Sequence, residues 1–249
     1  MDVRRSSTVL GAALGAAMLW VVGPGAPLAG AAGGGECQLQ GVANLSPPLT
    51  DTSASFAYSF TGTLSSCQSN VAGAPTSGNV SAGIQLSESV PLTRPGVCTN
   101  GRCDDGVTAC VNSSQCPAVV TTGTVLYQEP IPQGSGSCGS STTAGESLVT
   151  WGDGKHSVID YDTTGALAAV VLQGTLGASM TLTLVASSVP AGYTAPPTYV
   201  INSDEPAFLV GEGSLALLTF SPATQDQNCV TVGVSTANID GVVGIGSGT

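Results

Sequence analysis

Apolar and polar residues alternate over most of this chain, and a period of two marks strands with one buried face. Cys37-Gln-Leu-Gln-Gly-Val-Ala-Asn-Leu45 begins the pattern and predicts a first strand, which Pro47-Pro48 should end. Ala54, Phe56, Tyr58, Phe60 and Leu64 then fall at even spacings in the richest aromatic stripe of the sequence. That stripe is expected to be a core face rather than a ligand platform. Val80, Ala82, Ile84 and Leu86 predict a third strand, and alternation resumes from Ala118 to Tyr127. The uniformly apolar run Leu167 to Leu172 suits a strand buried on both faces, whereas Met180, Leu182 and Leu184 form a one-sided stripe.

Val189-Pro-Ala-Gly-Tyr-Thr-Ala-Pro-Pro197 reads as a proline-rich crossing. Ala207 to Val210 and Leu215 to Phe220 read as strands joined by a turn at Glu212-Gly213, although Leu215-Ala-Leu-Leu218 also suits one helical turn. Val230, Val232 and Val234, followed by Ile239, Val243 and Ile245, close the pattern.

The strongest local signal is Ser147-Leu-Val-Thr-Trp-Gly-Asp-Gly-Lys-His-Ser-Val-Ile-Asp-Tyr-Asp162. Two β-forming runs flank Gly152-Asp-Gly-Lys155, and Asp-Gly suits the primed two-residue turn of a hairpin. Val149 and Trp151 should face one side of it, and Leu148 and Thr150 the other. With about ten strands at this spacing, the expected fold is all-β, an antiparallel β-sandwich with a closed β-barrel as the alternative.

Residues 91–117 break the rhythm. Pro91, Pro95 and Pro117 bracket a segment without apolar periodicity that holds Cys98, Cys103, Cys110 and Cys116. It reads as a cysteine-rich insertion, a loop ordered by covalent links and the best-placed surface for binding.

Residues 1–31 read as a signal peptide, which changes how the composition is counted. Arg4 and Arg5 precede the apolar stretch Val9 to Val22, too short for the roughly 20 residues of a membrane span, and Ala29-Gly-Ala31 offers a cleavage site. The remainder, 32–249, reads as a single domain. Of 16 acidic and 5 basic side chains, Asp2, Arg4 and Arg5 fall in the leader, leaving a net charge of about −12. Such a surface disfavours nucleic acid and anionic lipid as partners. Aromatic residues make up 4% of the chain, too few for the girdles of a membrane barrel, so membrane insertion is not expected.

All eight cysteines lie beyond the leader: Cys37, Cys67, Cys98, Cys103, Cys110, Cys116, Cys138 and Cys229. In an exported chain an even count predicts disulfides rather than a zinc site, whose paired knuckles are missing. The four inner cysteines are expected to close on one another, and the four outer ones to tie the scaffold.

Chemistry-bearing residues are sparse, and no catalytic set, cofactor motif or metal site is assigned. The sole His156 sits beside the hairpin turn without a Gly-x-Ser-x-Gly elbow elsewhere in the chain. Asp160 and Asp162 share a strand face and could serve a hydrolase acting on glycans. Asp104-Asp-Gly106, Asp153 and Asp204-Glu205 are loop oxygens that suit calcium, the one cation this sequence invites. Arg94 and Arg102 would be the residues presented by a protease inhibitor built on the insertion.

Cys37, Ser46-Pro-Pro-Leu-Thr50, Thr61-Gly-Thr-Leu-Ser-Ser-Cys67, Trp151-Gly-Asp-Gly-Lys-His-Ser157 and the stretch from Cys229 to Gly246 resemble a loose group of small secreted bacterial proteins, mostly actinobacterial, without an established activity. The cysteine-rich insertion departs from that group. The resemblance implies an all-β fold and export, and no activity. The expectation is a non-enzymatic module, secreted or periplasmic, that binds a protein or glycan ligand or builds structure outside the cell.

Overall fold

The alternation is realised as fifteen strands in the computed structural model, which describes residues 34–166 and 168–246. The expected leader, residues 1–31, and Leu167 lie outside the described residues. In chain order the strands are β1 (Gly35–Leu49), β2 (Ala54–Ser69), β3 (Gly78–Ala82), β4 (Gln85–Arg94), β5 (Cys98–Thr99), β6 (Arg102–Cys103), β7 (Val119–Gln128) and β8 (Gln133–Ser137). They continue with β9 (Ser140–Trp151), β10 (His156–Ala166), β11 (Ala169–Gly177), β12 (Ser179–Leu184), β13 (Thr198–Asn202), β14 (Gly213–Pro222) and β15 (Val234–Ile245).

β1 is hydrogen-bonded along both edges, to β15 and to β2, and this double pairing closes the main sheet into a barrel. Round the ring follow β14, β11, β10 and β9, all antiparallel. The eighth position, between β9 and β2, is shared by two short strands, with β3 spanning one half and β8 the other. The sandwich expected first is therefore corrected to its alternative, a barrel. The cause is local: register shifts near Glu36/Gln38 and between Asn44 and Leu49 curl the long β1–β2 ribbon until its edges meet other strands. Pro47-Pro48 does not end β1 but lies within that irregular stretch.

A second sheet, in the order β13-β12-β7-β4, packs against one flank of the barrel. Leu148 and Val158, the outward residues of the β9–β10 hairpin, meet Val90, Val125, Tyr127, Met180, Leu182 and Ile201. Their inward neighbours Val149, Trp151, Ile159 and Tyr161 belong to the barrel interior. The hairpin is thus buried on both faces near its turn. That turn differs from the expected two-residue type. The Trp151 carbonyl accepts from Gly154 N–H and the Lys155 carbonyl from Trp151 N–H, with Gly154 at φ +87° supplying a bulge that other residues rarely tolerate.

Four strand assignments also change. Pro91 belongs to the edge strand β4, opposite Thr122, so the insertion starts only after Arg94, at the tip of the β4–β7 hairpin. β11 buries one face rather than two, leaving Val171 exposed on the outer wall. Ala207–Val210 and Val230–Val232 are turns. Ala207 and Phe208 fold under the barrel, Phe208 lying 4.9 Å from the Trp151 ring, while Asn228 Oδ1 accepts from the N–H groups of Val230 and Thr231. Leu215–Leu218 is strand, within β14.

The disulfides pair as expected: Cys98–Cys110 and Cys103–Cys116 staple the insertion, and Cys37–Cys67 and Cys138–Cys229 tie the barrel. Cys98, Cys110 and Cys116 cluster closely enough to suggest a metal site, but all three are consumed in disulfides and offer no thiolate.

The shared eighth position leaves a seam between β3 and β8, and Glu129 closes it. Its backbone N–H donates to the Ile84 carbonyl at 2.9 Å, and its carboxylate accepts from Ile84 N–H at 3.0 Å and the Ser81 hydroxyl at 2.5 Å. The side chain is buried, and burial raises its pKa against the lowering effect of those two bonds.

Glu129→Ala should cost about 1–3 kcal/mol, because Ile84 N–H loses its partner inside the wall. Because the folded carboxyl holds its proton more tightly than the unfolded one, the contribution of Glu129 should be full below about pH 4.3 and be lost as pH rises towards the folded value. Urea titrations across that window should show a smaller loss in Glu129→Gln than in wild type, the remainder belonging to Glu146. Removing Cys138–Cys229, whose partners lie 91 residues apart, should cost roughly 4.6 kcal/mol by the loop-entropy relation. Removing Cys98–Cys110 should leave the barrel's denaturation midpoint nearly unchanged, as read by circular dichroism.

Candidate functional site

An eight-stranded barrel is just wide enough for side chains to fill it or for one small ligand to share the space. Here the filling is incomplete. Alternate residues of β1, β2, β9, β10, β11, β14 and β15 point inward and border a cavity of about 140 Å³. Its floor is Leu39, Leu64, Val149, Ile159 and Ile245, below which Trp151 and Phe208 plug the base. Trp151 is locked there by its indole N–H, which donates to Ser157 Oγ at 2.9 Å.

The other end is only partly covered. Leu45, Leu49, Phe56, Val234 and Ala237 cluster there beneath Cys138 and Cys229. Ser141, Thr163, Val170 and Phe220 are each only half-buried and border the remaining opening.

The aromatic stripe of β2 faces inward as expected, yet its rings line the cavity instead of closing it. Phe60 shows why. Its ring lies flat on the wall over Gly41 and Gly62, where an added Cβ would come within 2.4 Å and 2.8 Å of the ring. Those glycines draw the ring away from the barrel axis and leave the middle open.

Polarity is concentrated in one string of hydroxyls, beside the separate lining hydroxyls of Ser141, Ser147 and Ser214, the last of which donates to the Gly244 carbonyl. Tyr161 and Tyr58 meet at 2.6 Å, Tyr58 and Thr143 at 3.1 Å, and Thr143 and Thr163 at 2.7 Å, from the interior towards the opening. Burial raises the pKa of Tyr58, and that of Tyr161 still further, so both phenols stay protonated. No acidic, basic or histidine side chain lines the cavity among the described residues.

The residues singled out from the sequence lie elsewhere. Asp160 and Asp162 face outward on β10, with Glu146 directly opposite Asp160 on β9. Burial, then the facing Asp160, raises the pKa of Glu146. This acidic strip borders an open concavity on the outer wall, on the far side of the sheet from Trp151.

Of the loop acids, Asp153 and Glu205 do converge at the base of the barrel, but around an ammonium, and Asp204 turns to His156. Lys155 Nζ lies 3.0 Å from Asp153 and 3.5 Å from buried Glu205, filling the place a cation would take. Its hydrogen bond holds the Asp153 carboxyl below the usual range. His156 donates its backbone N–H to Asp204 Oδ1 at 2.6 Å, and among the described residues no serine hydroxyl is hydrogen-bonded to its ring. Asp105, in the insertion, is spent on the N–H groups of Val107 and Thr108 and the Thr108 hydroxyl. Arg94 is held by Asp104 at 2.5 Å, while Arg102 is exposed beside the tight Asn100-Gly101 turn.

The outer wall is mixed, carrying Gln38, Gln40, Thr61, Thr63, Asp162 and Gln173 beside the exposed Val42, Val171, Leu215 and Leu217, while the interior is mostly apolar. Among the described residues no helix is long and apolar enough to cross a membrane. Comparison of the chain with family models, curated proteins and solved structures gives no match.

Proposed function

We propose that this protein is an exported, non-enzymatic binding module that takes up a small apolar molecule inside its barrel. The observation that carries the reading is the half-buried state of Tyr58, Phe60, Val80, Val170, Leu172 and Ile239, all inward-facing, around the 140 Å³ cavity. Protein interiors are otherwise close-packed, and at about 24 cal/mol per Å³ an unfilled space of this size costs roughly 3 kcal/mol. A ligand that fills it recovers that contact energy. An engineered apolar cavity of roughly 150 Å³ takes up benzene, which sets the size of molecule expected.

Export agrees with the leader read in residues 1–31 and with four disulfides, which persist in oxidising compartments. The non-enzymatic reading is supported by the cavity's chemistry: its titratable groups are two phenols pushed away from neutral pH, unsuited to general acid–base work.

Fluorobenzene observed by ¹⁹F NMR tests the reading. Millimolar protein should broaden or shift its resonance. Val80→Phe places a ring in the cavity and should abolish the effect, while the variant unfolds no earlier than wild type because no packed neighbour is displaced. An unchanged fluorobenzene signal with wild-type protein would overturn the proposal.

A further inference from the structure

The hydroxyl string narrows the ligand class, on the condition that the barrel interior is the binding site. Four hydroxyls, Tyr161, Tyr58, Thr143 and Thr163, share three contacts. Each hydroxyl has one proton to donate, so three contacts use three protons and one remains. If the string donates outward, Thr163 keeps the spare proton and can donate to an acceptor in the cavity. If every bond reverses, the spare proton moves to Tyr161 and Thr163 presents a lone pair to a donor. One string therefore serves a carbonyl or a hydroxyl equally well.

It cannot serve an ion. No side chain of opposite charge lines the cavity to compensate a carboxylate or an ammonium, and an ion leaving water for apolar walls forfeits several kcal/mol of hydration. The phenols cannot become counter-ions, since burial keeps them protonated. The chain's net charge of −11 adds long-range repulsion against anions.

We infer that the barrel selects small neutral molecules bearing one hydroxyl or carbonyl group, read by the Tyr161–Tyr58–Thr143–Thr163 string, and rejects their ionised counterparts. Apolar surface gives the affinity, and the string gives the orientation.

Three fluorinated probes of matched size test this with wild-type protein at pH 7: fluorobenzene, 4-fluorophenol and 4-fluorobenzoate, each titrated by ¹⁹F NMR. 4-Fluorophenol should bind about tenfold more tightly than fluorobenzene, and 4-fluorobenzoate at least tenfold more weakly. Tyr58→Phe breaks the string in the middle without removing the ring. It should weaken 4-fluorophenol only in part, because the Thr143–Thr163 pair keeps one spare proton, and leave fluorobenzene unchanged. Thr163→Val removes the hydroxyl at the end of the string and should bring 4-fluorophenol to the level of fluorobenzene. Fluorobenzene binding with no preference for the phenol, or with equal affinity for the benzoate, would overturn this inference and leave the proposed function standing. Binding of none of the three would remove both.

Discussion

Everything in this protein hangs on one strand being paired twice. β1 bonds to β15 along one edge and to β2 along the other, so the first strand of the fold is also joined to the last. Closure satisfies the backbone groups that an open sheet would expose at its edges. It also fixes the interior width independently of the side chains placed there. A sandwich can collapse until its two layers touch. A closed ring of eight positions cannot, so residues too small or too flat to reach the axis leave space behind them. The cavity is a consequence of hydrogen-bond topology as much as of side-chain choice.

The β9–β10 hairpin adds a second constraint. Near its turn it supplies Val149, Trp151 and Ile159 to the barrel and Leu148 and Val158 to the outer sheet. A one-residue slip in its pairing would exchange these two sets and misplace both cores together. The base of the barrel is anchored to the same hairpin through Lys155, which bridges Asp153 to Glu205 beneath Phe208. The scaffold is therefore tied down at the floor and along one flank, and the linked hydroxyls inside it form one string that ends near the opening.

Much of this was legible in the sequence because strands are written in local alternation. The two strands of the hairpin of residues 147–162, the inward face of the aromatic stripe from Ala54 to Leu64 and the internal pairing of the insertion's cysteines were legible from nearest neighbours, while the hairpin's turn type and the insertion's start were not. What was not legible depends on distant pairing. Alternation is the same for a strand in a sandwich or in a barrel, and the curling bulges of β1 carry no sequence mark beyond Pro47-Pro48. Val230 and Val232 imitate a strand, but Asn228 folds their backbone into a turn. Glu129 gave no hint that it would fill a seam, since the seam exists only where β3 and β8 divide one place in the ring. The cavity was hidden for a related reason: Phe56, Tyr58 and Phe60 form the same stripe whether the interior is filled or open. The one available signal was the pair Gly41 and Gly62, inward positions without side chains that face each other across β1 and β2.

The Cys138–Cys229 bond lies at the open end, joining the β8–β9 turn to the β14–β15 loop on opposite sides of the ring. Its half-cystines pack over Leu45, Leu49 and Phe56, roofing one side of the aperture. A roof held by a covalent link does not swing. The gap that remains, bordered by Ser141, Thr163, Val170 and Phe220, therefore has a rim set by sulfur chemistry rather than by a hinge. In a reducing milieu that rim would lose its covalent tie, and the width of the aperture would no longer be fixed.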